Sequence, residues 1–232
     1  MATIEVKCRF CQRTEFVKKH GKGDAGHQCY RCLSCKRTFQ LEYAYKAWQT
    51  GIKEQVVDLA MNNAGIRDTA WVLHISINAV VRALKKLNPR GVTTLPLNNL
   101  EIQLICEVDE MWSFVGNKKQ QRELWYAWEP RMKRIIAHVF GDRSKNTLKK
   151  LLKKLSRFNV VFWCTDNFSV YNMLPTNKPL IGKTFTQRIE RENLTLRIRI
   201  KRLNRKTLGY SKSPIMHDKV IIGTFIERKY YI

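Results

Sequence analysis

Acidic residues are scarce in this sequence. Its 232 residues include nineteen Asp and Glu against forty-three Lys and Arg, so the formal net charge is +24 and the pI is about 10.0. A protein this basic attracts polyanions, and nucleic acid is the commonest of them, although ribosomal and membrane-surface proteins share the same signature. Charge alone therefore favours a nucleic-acid partner without naming a function.

Long apolar runs are also missing. No stretch reaches the roughly 20 apolar residues of a membrane-spanning helix, and the first residues, MATIE, lack the apolar core of a secretion signal. We therefore expect a cytoplasmic, nucleoid-associated protein with no membrane contact. The composition, 44% hydrophobic and 27% charged, is that of a globular chain.

The seven cysteines are unevenly placed, with five of them between positions 8 and 35. An odd number without a secretion signal argues against disulfides. Two C-x-x-C pairs fit a structural Zn²⁺ site, because four thiolates complete a tetrahedron around the metal. The predicted ligands are Cys8, Cys11, Cys32 and Cys35. Cys29 is an alternative to Cys35, since Cys29-x-x-Cys32 is also a valid pair.

The chain divides by composition into four segments. We predict a zinc-binding module at 1–45, a helix-turn-helix domain at 46–88, a linker at 89–98 that contains two prolines and a glycine, and a catalytic domain at 99–232. The first segment is so poor in aliphatic residues that metal binding must supply part of its folding free energy.

Helical periodicity from Ile66 to Leu87 predicts the helix-turn-helix. Ala70 falls where two crossing helices need a small residue, and His74 falls in the turn, where it tolerates a left-handed backbone. We expect Asn78 to cap the second helix, which would enter the major groove of DNA. The shared core would consist of Leu73, Ile75, Val80 and Leu84. The predicted DNA-binding residues are Asn78, Arg82, Lys85 and Lys86.

The pattern of the last segment predicts an α/β domain with a mixed sheet. Alternating apolar residues predict one long strand from Leu100 to Phe114, with Glu107 and Asp109 on its more polar face. Further strands are expected at 124–128, 134–140 and 160–164, the last buried on both faces. A helix is expected at 144–155, capped by Ser144 or Asn146. The run 194–200 alternates like another strand.

Few carboxylates are available for two-metal phosphodiester chemistry, which needs acidic ligands converging from separate elements. Asp109 lies inside an apolar strand, a costly place for an unpaired charge. Asp166 follows directly after a buried strand, where open α/β sheets place their sites. Glu190 lies among arginines and, taken alone, is better explained as an ion-pair partner.

The motifs EVDEMWSFVG, WCTDNF, KTFTQRIERENLTLR and SKSPIMHDKVI, together with CRFC, GHQCYRCLSC and the helix-turn-helix, resemble the transposases of the insertion sequence one family. This resemblance implies a ribonuclease H-like domain with an Asp-Asp-Glu triad that binds Mg²⁺ or Mn²⁺. Matched motif by motif, the triad is Asp109, Asp166 and Glu190. The gap of 23 residues before Glu190 is about one shorter than the family implies, and Glu192 is a rival. The family fold also implies a helix, not a strand, after Glu190.

The resemblance implies a transposase that binds double-stranded DNA at the element ends and in the target. It would free a 3′-hydroxyl, join it to the target, and work as a homo-oligomer because two ends must meet. We expect the phosphate contacts to come from Arg197, Arg199, Lys201 and Arg202, with Arg205 and Lys206 beside them.

Two alternatives remain open. The first is a non-catalytic, sequence-specific DNA-binding protein, such as a repressor or a decayed transposase. The second is a tyrosine recombinase that uses Tyr210, Tyr230 or Tyr231 as a covalent nucleophile beside His217.

Overall fold

The computed structural model describes residues 5–24, 26–41, 45–97, 101–175 and 179–231. It contains two compact units, 1–52 and 53–232. Within the described ranges, none of the helices is both long enough and apolar enough to cross a bilayer.

The first unit is built on a small antiparallel sheet. Its strands are β1 (Val17–Lys22), β2 (Gln28–Cys32) and β3 (Thr38–Gln40), in that order. A single 3₁₀ turn follows at Lys46–Trp48. Cys8, Cys32 and Phe39 form the buried cluster among the described residues of this unit. So small an apolar core agrees with a fold that depends on its cysteines.

Three helices open the second unit: α1 (Ile52–Met61), α2 (Ile66–Leu73) and α3 (Ile77–Lys85). Ala70 is buried where α2 meets α3, and His74 adopts the predicted left-handed conformation at φ 51°, ψ 45°. The predicted core is confirmed at Ile75, Val80 and Leu84, and Leu73 is half-buried.

The predicted cap of α3 is wrong. The Ser76 hydroxyl accepts a hydrogen bond from the Ala79 N–H, whereas Asn78 is the second residue inside the helix and is exposed. Ser76 precedes the first helical residue, which is the position from which a side-chain oxygen reaches the unpaired N–H groups of the first turn.

A five-stranded mixed sheet forms the centre of the second unit. Chain order gives β4 (Leu104–Met111), a hairpin of β5 (Phe114–Val115) and β6 (Asn117–Gln121), then β7 (Glu123–Glu129), β8 (Arg134–Gly141), β9 (Val160–Thr165) and β10 (Pro179–Ile181). The order in the sheet is β10-β9-β4-β7-β8. Strands β4, β9 and β10 are parallel, whereas β7 is antiparallel to both β4 and β8. The predicted mixed sheet is confirmed.

Helices cover both faces of this sheet. Helix α4 (Lys145–Leu155) is capped by Ser144 as predicted, and it packs on the face that contains Cys106 and Val108. Helix α5 (Lys183–Arg199) covers the opposite face, which contains Glu107, Asp109 and Met111. Asp109 therefore lies in the interface between a central strand and a helix.

Three expectations about strands are decided by the structure. The run 194–200 alternates like a strand, but residues 194–199 form the end of α5, as the family resemblance implies, because Ile189 and Leu196 are buried at helical spacing while Leu194 and Ile198 are exposed. The long strand also ends at Met111, and the hairpin formed by β5 and β6 follows it. Strand β9 is less buried than predicted, with Val161 38% exposed.

The chain ends in a helical segment, α6 (Pro214–Val220), a π-helical stretch (Ile221–Ile226) and α7 (Glu227–Tyr230). Its apolar residues join the core beneath α5. The segment predicted as a linker lies along β8, where the Thr93 N–H donates to the Ile136 carbonyl and the His138 N–H donates to the Gly91 carbonyl.

Candidate functional site

The four predicted zinc ligands come together. Their sulfur atoms all lie within 4.8 Å of one another, and the pairs Cys8–Cys35 and Cys11–Cys32 are each 3.6 Å apart. Four sulfurs at about 2.3 Å from one metal ion are about 3.8 Å apart in a tetrahedron, so the cluster fits Zn²⁺. Cys29 lies outside this group, and its sulfur accepts a hydrogen bond from Gln40 at 3.1 Å.

Two equivalent turns hold these cysteines. The N–H of Cys8 donates to the carbonyl five residues later, and the N–H of Cys32 does the same. Each turn contains a residue with positive φ four positions after its first cysteine, Gln12 at 60° and Lys36 at 58°. The backbone thus repeats one knuckle twice and brings two thiols from each to the same point.

The helix-turn-helix presents its predicted DNA-binding residues away from its core. Of these, Asn78, Arg82, Lys85 and Lys86 all lie on α3 or at its end, outside the buried set of Val80 and Leu84. Sequence reasoning did not select Trp71, which is 77% exposed at the end of α2, or Ile77, which is 48% exposed at the start of α3. The sequence offered no signal for either one, because both residue types usually lie in a core.

Asp109 and Asp166 lie at the same edge of the sheet. Asp109 is near the end of β4, and Asp166 directly follows β9. These strands are parallel neighbours, and Glu107 lies opposite Cys164. Each aspartate follows its member of this pair by two residues, so the two aspartates lie at the same level of the sheet. The Asp166 carboxylate accepts a hydrogen bond from the Phe168 N–H at 3.1 Å.

The Asp109 carboxyl group is crowded and poorly solvated. Burial, followed by the neighbouring Glu110 carboxylate, raises the pKa of Asp109 to about 7, and the charge of Asp166 acts in the same direction. Two hydrogen bonds oppose this rise, from the Glu110 N–H at 2.8 Å and from the Asn193 side-chain amide at 2.5 Å. Among the described residues no cation forms an ion pair with the ionised form, and Arg197 acts on it only electrostatically, without an ion pair.

Helix α5 contains Glu190, the residue predicted as the third carboxylate, and is fixed to β4 at two points. The Ile189 N–H donates to the Glu107 carboxylate at 2.7 Å, and Asn193 donates to Asp109. Glu190 lies between these attachments and accepts a hydrogen bond from Thr186 at 3.3 Å. Glu190 thus lies on α5 about one turn before Asn193, the residue that contacts Asp109.

The rival Glu192 is engaged elsewhere. Its carboxylate accepts a hydrogen bond from the Tyr230 hydroxyl and lies 3.8 Å from the Lys229 ammonium group, both in the terminal helix α7. Among the described residues, Asp109, Asp166 and Glu190 form no ion pair, in contrast to Glu192.

The three carboxylates are not gathered as closely as the cysteines. In the described parts of the chain, the cysteine set is the one group of three or more metal-ligating side chains within 4.8 Å. Oxygen donors that share an edge, with no cation paired to them, are nevertheless the ligands that Mg²⁺ and Mn²⁺ prefer. The three side chains fit such an ion in their chemistry, and their carboxylate oxygens would have to come closer together to share it.

Asn193 connects this site to the core. Its side-chain oxygen accepts a hydrogen bond from the buried Tyr126 hydroxyl at 2.8 Å while its amide donates to Asp109. Sequence reasoning missed it. The signal was present, because Asn193 lies three residues after Glu190 and shares its face once the segment is a helix.

The predicted phosphate contacts divide into two kinds. The Arg197 guanidinium donates to the Leu203 and Trp112 carbonyls, and Arg202 donates to the Ser211 hydroxyl. These two side chains stabilise the protein's own fold, so their placement does not favour a phosphate contact. Arg199 and Lys201 are exposed.

The residues of the recombinase alternative are mostly buried. Tyr230 and Tyr231 are each 2% exposed, and His217 is enclosed between the Ser113 and Ser211 hydroxyls at 3.0 and 3.1 Å. Burial lowers the pKa of His217 to about 3 and raises the pKa of both tyrosines. None of these three groups is placed to attack DNA.

The sheet order, the carboxylates at the ends of adjacent parallel strands and the covering helix define a ribonuclease H-like nucleic-acid enzyme, preceded in the chain by a helix-turn-helix and a zinc module. Three family models match the chain: IS1 transposase at 103–232, InsA C-terminal domain at 43–88 and InsA N-terminal domain at 1–36. The chain belongs to the IS1 transposase family, and it is a DNA transposase with its own DNA-binding modules.

Curated relatives agree with this family. The InsB protein of insertion element IS1 1 from Escherichia coli (strain K12) is 45% identical over 150 residues, which cover 64% of this chain and 89% of the relative. The iso-IS1n InsB protein of Shigella dysenteriae is 52% identical over 126 residues, which cover 54% and 95% respectively. A chain of the simian T-cell lymphotropic virus intasome with PP2A regulatory subunit B56 gamma matches at a TM-score of 0.34 and 13% identity, over 62% of this chain and 59% of that one.

Proposed function

We propose that this transposase cleaves a phosphodiester at the element ends and transfers the freed 3′-hydroxyl to target DNA, with Asp109, Asp166 and Glu190 holding Mg²⁺ or Mn²⁺. The supporting observation is the pair of carboxylates without a paired cation at the adjacent ends of the parallel strands β4 and β9, beside the helix that contains Glu190. A bound divalent cation would supply charge neutralisation at the attacking and leaving oxygens.

The chain's own residues prepare that position. Asn193 donates to one Asp109 oxygen and the Glu110 N–H donates to the other, so the carboxylate is held in one orientation. The two attachments of α5 to β4 fix the height of Glu190 along the strand. Hydrogen bonds that already fix the orientation of Asp109 lower the cost of arranging this carboxylate around a cation.

The amino-terminal modules would deliver the DNA. Cys8, Cys11, Cys32 and Cys35 would hold one structural Zn²⁺, and α3 would enter the major groove at the element end with Asn78, Arg82, Lys85 and Lys86. Two ends must be joined in transposition, so we expect the active form to be a homo-oligomer on double-stranded DNA.

A cleavage assay on duplexes that contain a terminal repeat, with and without Mg²⁺, tests this proposal. Asp109→Asn, Asp166→Asn and Glu190→Gln should each abolish cleavage while DNA binding without added Mg²⁺ or Mn²⁺ stays intact. Glu192→Gln is the matched control and should remain active, because Tyr230 and Lys229 engage that side chain. Full activity in any of the first three variants removes that residue from the triad.

The spacing of the carboxylates favours one alternative function. Since they are not gathered within the distance that the cysteines reach, a sequence-specific binder without catalysis, such as a repressor or a decayed transposase, has some support. It predicts tight binding to the terminal repeat with no strand cleavage at any Mg²⁺ or Mn²⁺ concentration.

A further inference from the structure

A concave basic surface lies beside α5, away from the edge formed by Asp109 and Asp166. We call it the basic groove and define it by Arg131, Lys133, Gln187, Arg188, Arg191 and Thr195. The turn between β7 and β8 forms one wall, α5 forms the other, and the enclosed volume is about 750 Å³.

The cations of the basic groove are held in different ways. Buried Glu129 accepts two hydrogen bonds from the Arg131 guanidinium, at 2.9 and 3.1 Å, and so fixes its plane. Arg188 lies near enough to Glu107 to lower the pKa of that carboxyl group, against the larger effect of burial. In the described part of the chain, the side chains of Lys133 and Arg191 have no hydrogen bond or ion pair.

Little negative charge balances the two remaining cations of this surface, Lys133 and Arg191. Glu192 is its one acidic lining residue among those described, and that carboxylate is already engaged by Tyr230 and Lys229. A concave site with several unsatisfied cations attracts an anion more strongly than a convex surface of equal charge, because its low-dielectric walls focus the field.

We propose that the basic groove binds the phosphate backbone of duplex DNA. From Arg188 to Thr195 the groove follows α5 for about 10 Å at 1.5 Å per residue, which matches about three phosphates of one strand. Arginine forks and the Gln187 side-chain amide supply donors of the kind that contact phosphate oxygens. An acidic segment of a second copy fits poorly, since the whole chain has only nineteen Asp and Glu.

The position of the basic groove next to Glu190 suggests what DNA binding there would do. Arg191 follows Glu190 directly on α5, so DNA held in the basic groove would run along the helix that contains the proposed third carboxylate. The inference rests on the proposed function only for the identity of the polyanion. The competing explanation is that these cations are part of a generally basic surface.

A matched pair of variants separates the two explanations. Lys133→Gln/Arg191→Gln removes two charges from the groove, whereas Lys149→Gln/Lys153→Gln removes two from α4, on the opposite face of the sheet. Binding of the full chain to a duplex of about three helical turns is measured by fluorescence anisotropy over a series of KCl concentrations without added Mg²⁺ or Mn²⁺, which prevents cleavage and leaves the zinc module intact. Thermal unfolding confirms that both variants fold.

The groove variant should lower the slope of log K against log salt by about 1.8, since each phosphate contact contributes about 0.9. The α4 variant should change it by less than about half of that. A benzoylphenylalanine at Gln187 should crosslink to the duplex, and one at Lys149 should not. Equal slopes for the two variants, or no crosslink at Gln187, would overturn the inference.

The outcomes also separate this inference from the proposed catalysis. If the groove variant loses affinity but wild-type protein never cleaves DNA in Mg²⁺, the groove stands and the catalytic proposal falls. If wild-type protein cleaves and the groove variant binds with an unchanged slope, the catalytic proposal stands and the groove falls.

Discussion

Replacing Asp109 by Asn should stabilise the metal-free protein at neutral pH and lose that advantage in acid. The folded chain raises the pKa of this carboxyl group from 3.8 to about 7, first by burial and then through Glu110. Between those values the folded state keeps a proton that the unfolded chain has released. Stability therefore falls as pH rises through this window, and an amide, which cannot ionise, avoids the loss.

The expected size follows from the pKa values. At about 1.36 kcal/mol per pKa unit, a rise from 3.8 to about 7 corresponds to about 4 kcal/mol of unfolding free energy above pH 7. For a folded unit of this size, about 1 kcal/mol moves Tm by roughly 2–4 °C. The amide introduced by Asp109→Asn also meets the amide donor of Asn193, but that cost is the same at every pH.

The assay is urea unfolding of wild-type and Asp109→Asn protein from about pH 4.5 to about pH 7.5 without divalent cations, a range that spans most of the window between the two pKa values. Burial lowers the pKa of His138 and His217 to about 3, so these residues make the unfolding free energy rise with pH in both proteins. Subtracting the unfolding free energy of the wild type from that of the variant removes this shared contribution. Asp142→Asn is the control with a flat profile: hydrogen bonds from Ser144 and Thr147 lower the pKa of that carboxyl group below 3.8, so its removal should destabilise the protein by the same amount across the whole range. A difference for Asp109→Asn that stays flat across this range would refute the reasoning.

Three further outcomes are expected. Cys35→Ser should lose the bound zinc and Cys29→Ser should keep it, as measured by metal content after gel filtration; retention in Cys35→Ser would exclude the outer ligand set. Asn193→Ala should cut cleavage by about 10–100-fold and raise the Mg²⁺ concentration required, with DNA binding unchanged, because Asp109 loses its orienting donor. Unaltered cleavage at limiting Mg²⁺ would show that Asn193 is dispensable. Ser76→Ala should cost about 1 kcal/mol of unfolding free energy through the lost cap, whereas Asn78→Ala should leave stability nearly unchanged; equal losses would contradict the assignment of the cap.

Local sequence patterns predicted most of the fold. The strands at 123–129 and 134–141 and the Ser144 cap of α4 follow from alternation and capping chemistry. The cysteine cluster follows from the spacing of its two pairs. In each of these cases the residues that decide the structure are neighbours in the chain or repeat one short motif, so one sequence is enough.

The missed features depend on contacts between distant segments. The run 194–200 satisfies both a two-residue and a helical period, and only the packing of Leu196 against the sheet decides for the helix. The hydrogen bond between Asn193 and Asp109 joins residues 84 positions apart. No local pattern contains that information, because it arises when α5 meets β4.

The contacts of α5 with the polar face of β4 explain why the sequence of α5 was the hardest to interpret. A polar face on β4 has a stability cost unless something covers it, and α5 covers it with Asn193 and the Ile189 N–H, which are polar partners and not apolar ones. The helix therefore lacks a clean apolar stripe, and its sequence resembles a strand as much as a helix. The same departure from the usual pattern leaves Asp109 and Asp166 at one edge without a paired cation, in the place where a divalent ion would offset their repulsion. The strand-like pattern of α5 and the unpaired carboxylate of Asp109 thus have one cause: the interface between β4 and α5 contains carboxylates and their hydrogen-bond donors as well as apolar side chains.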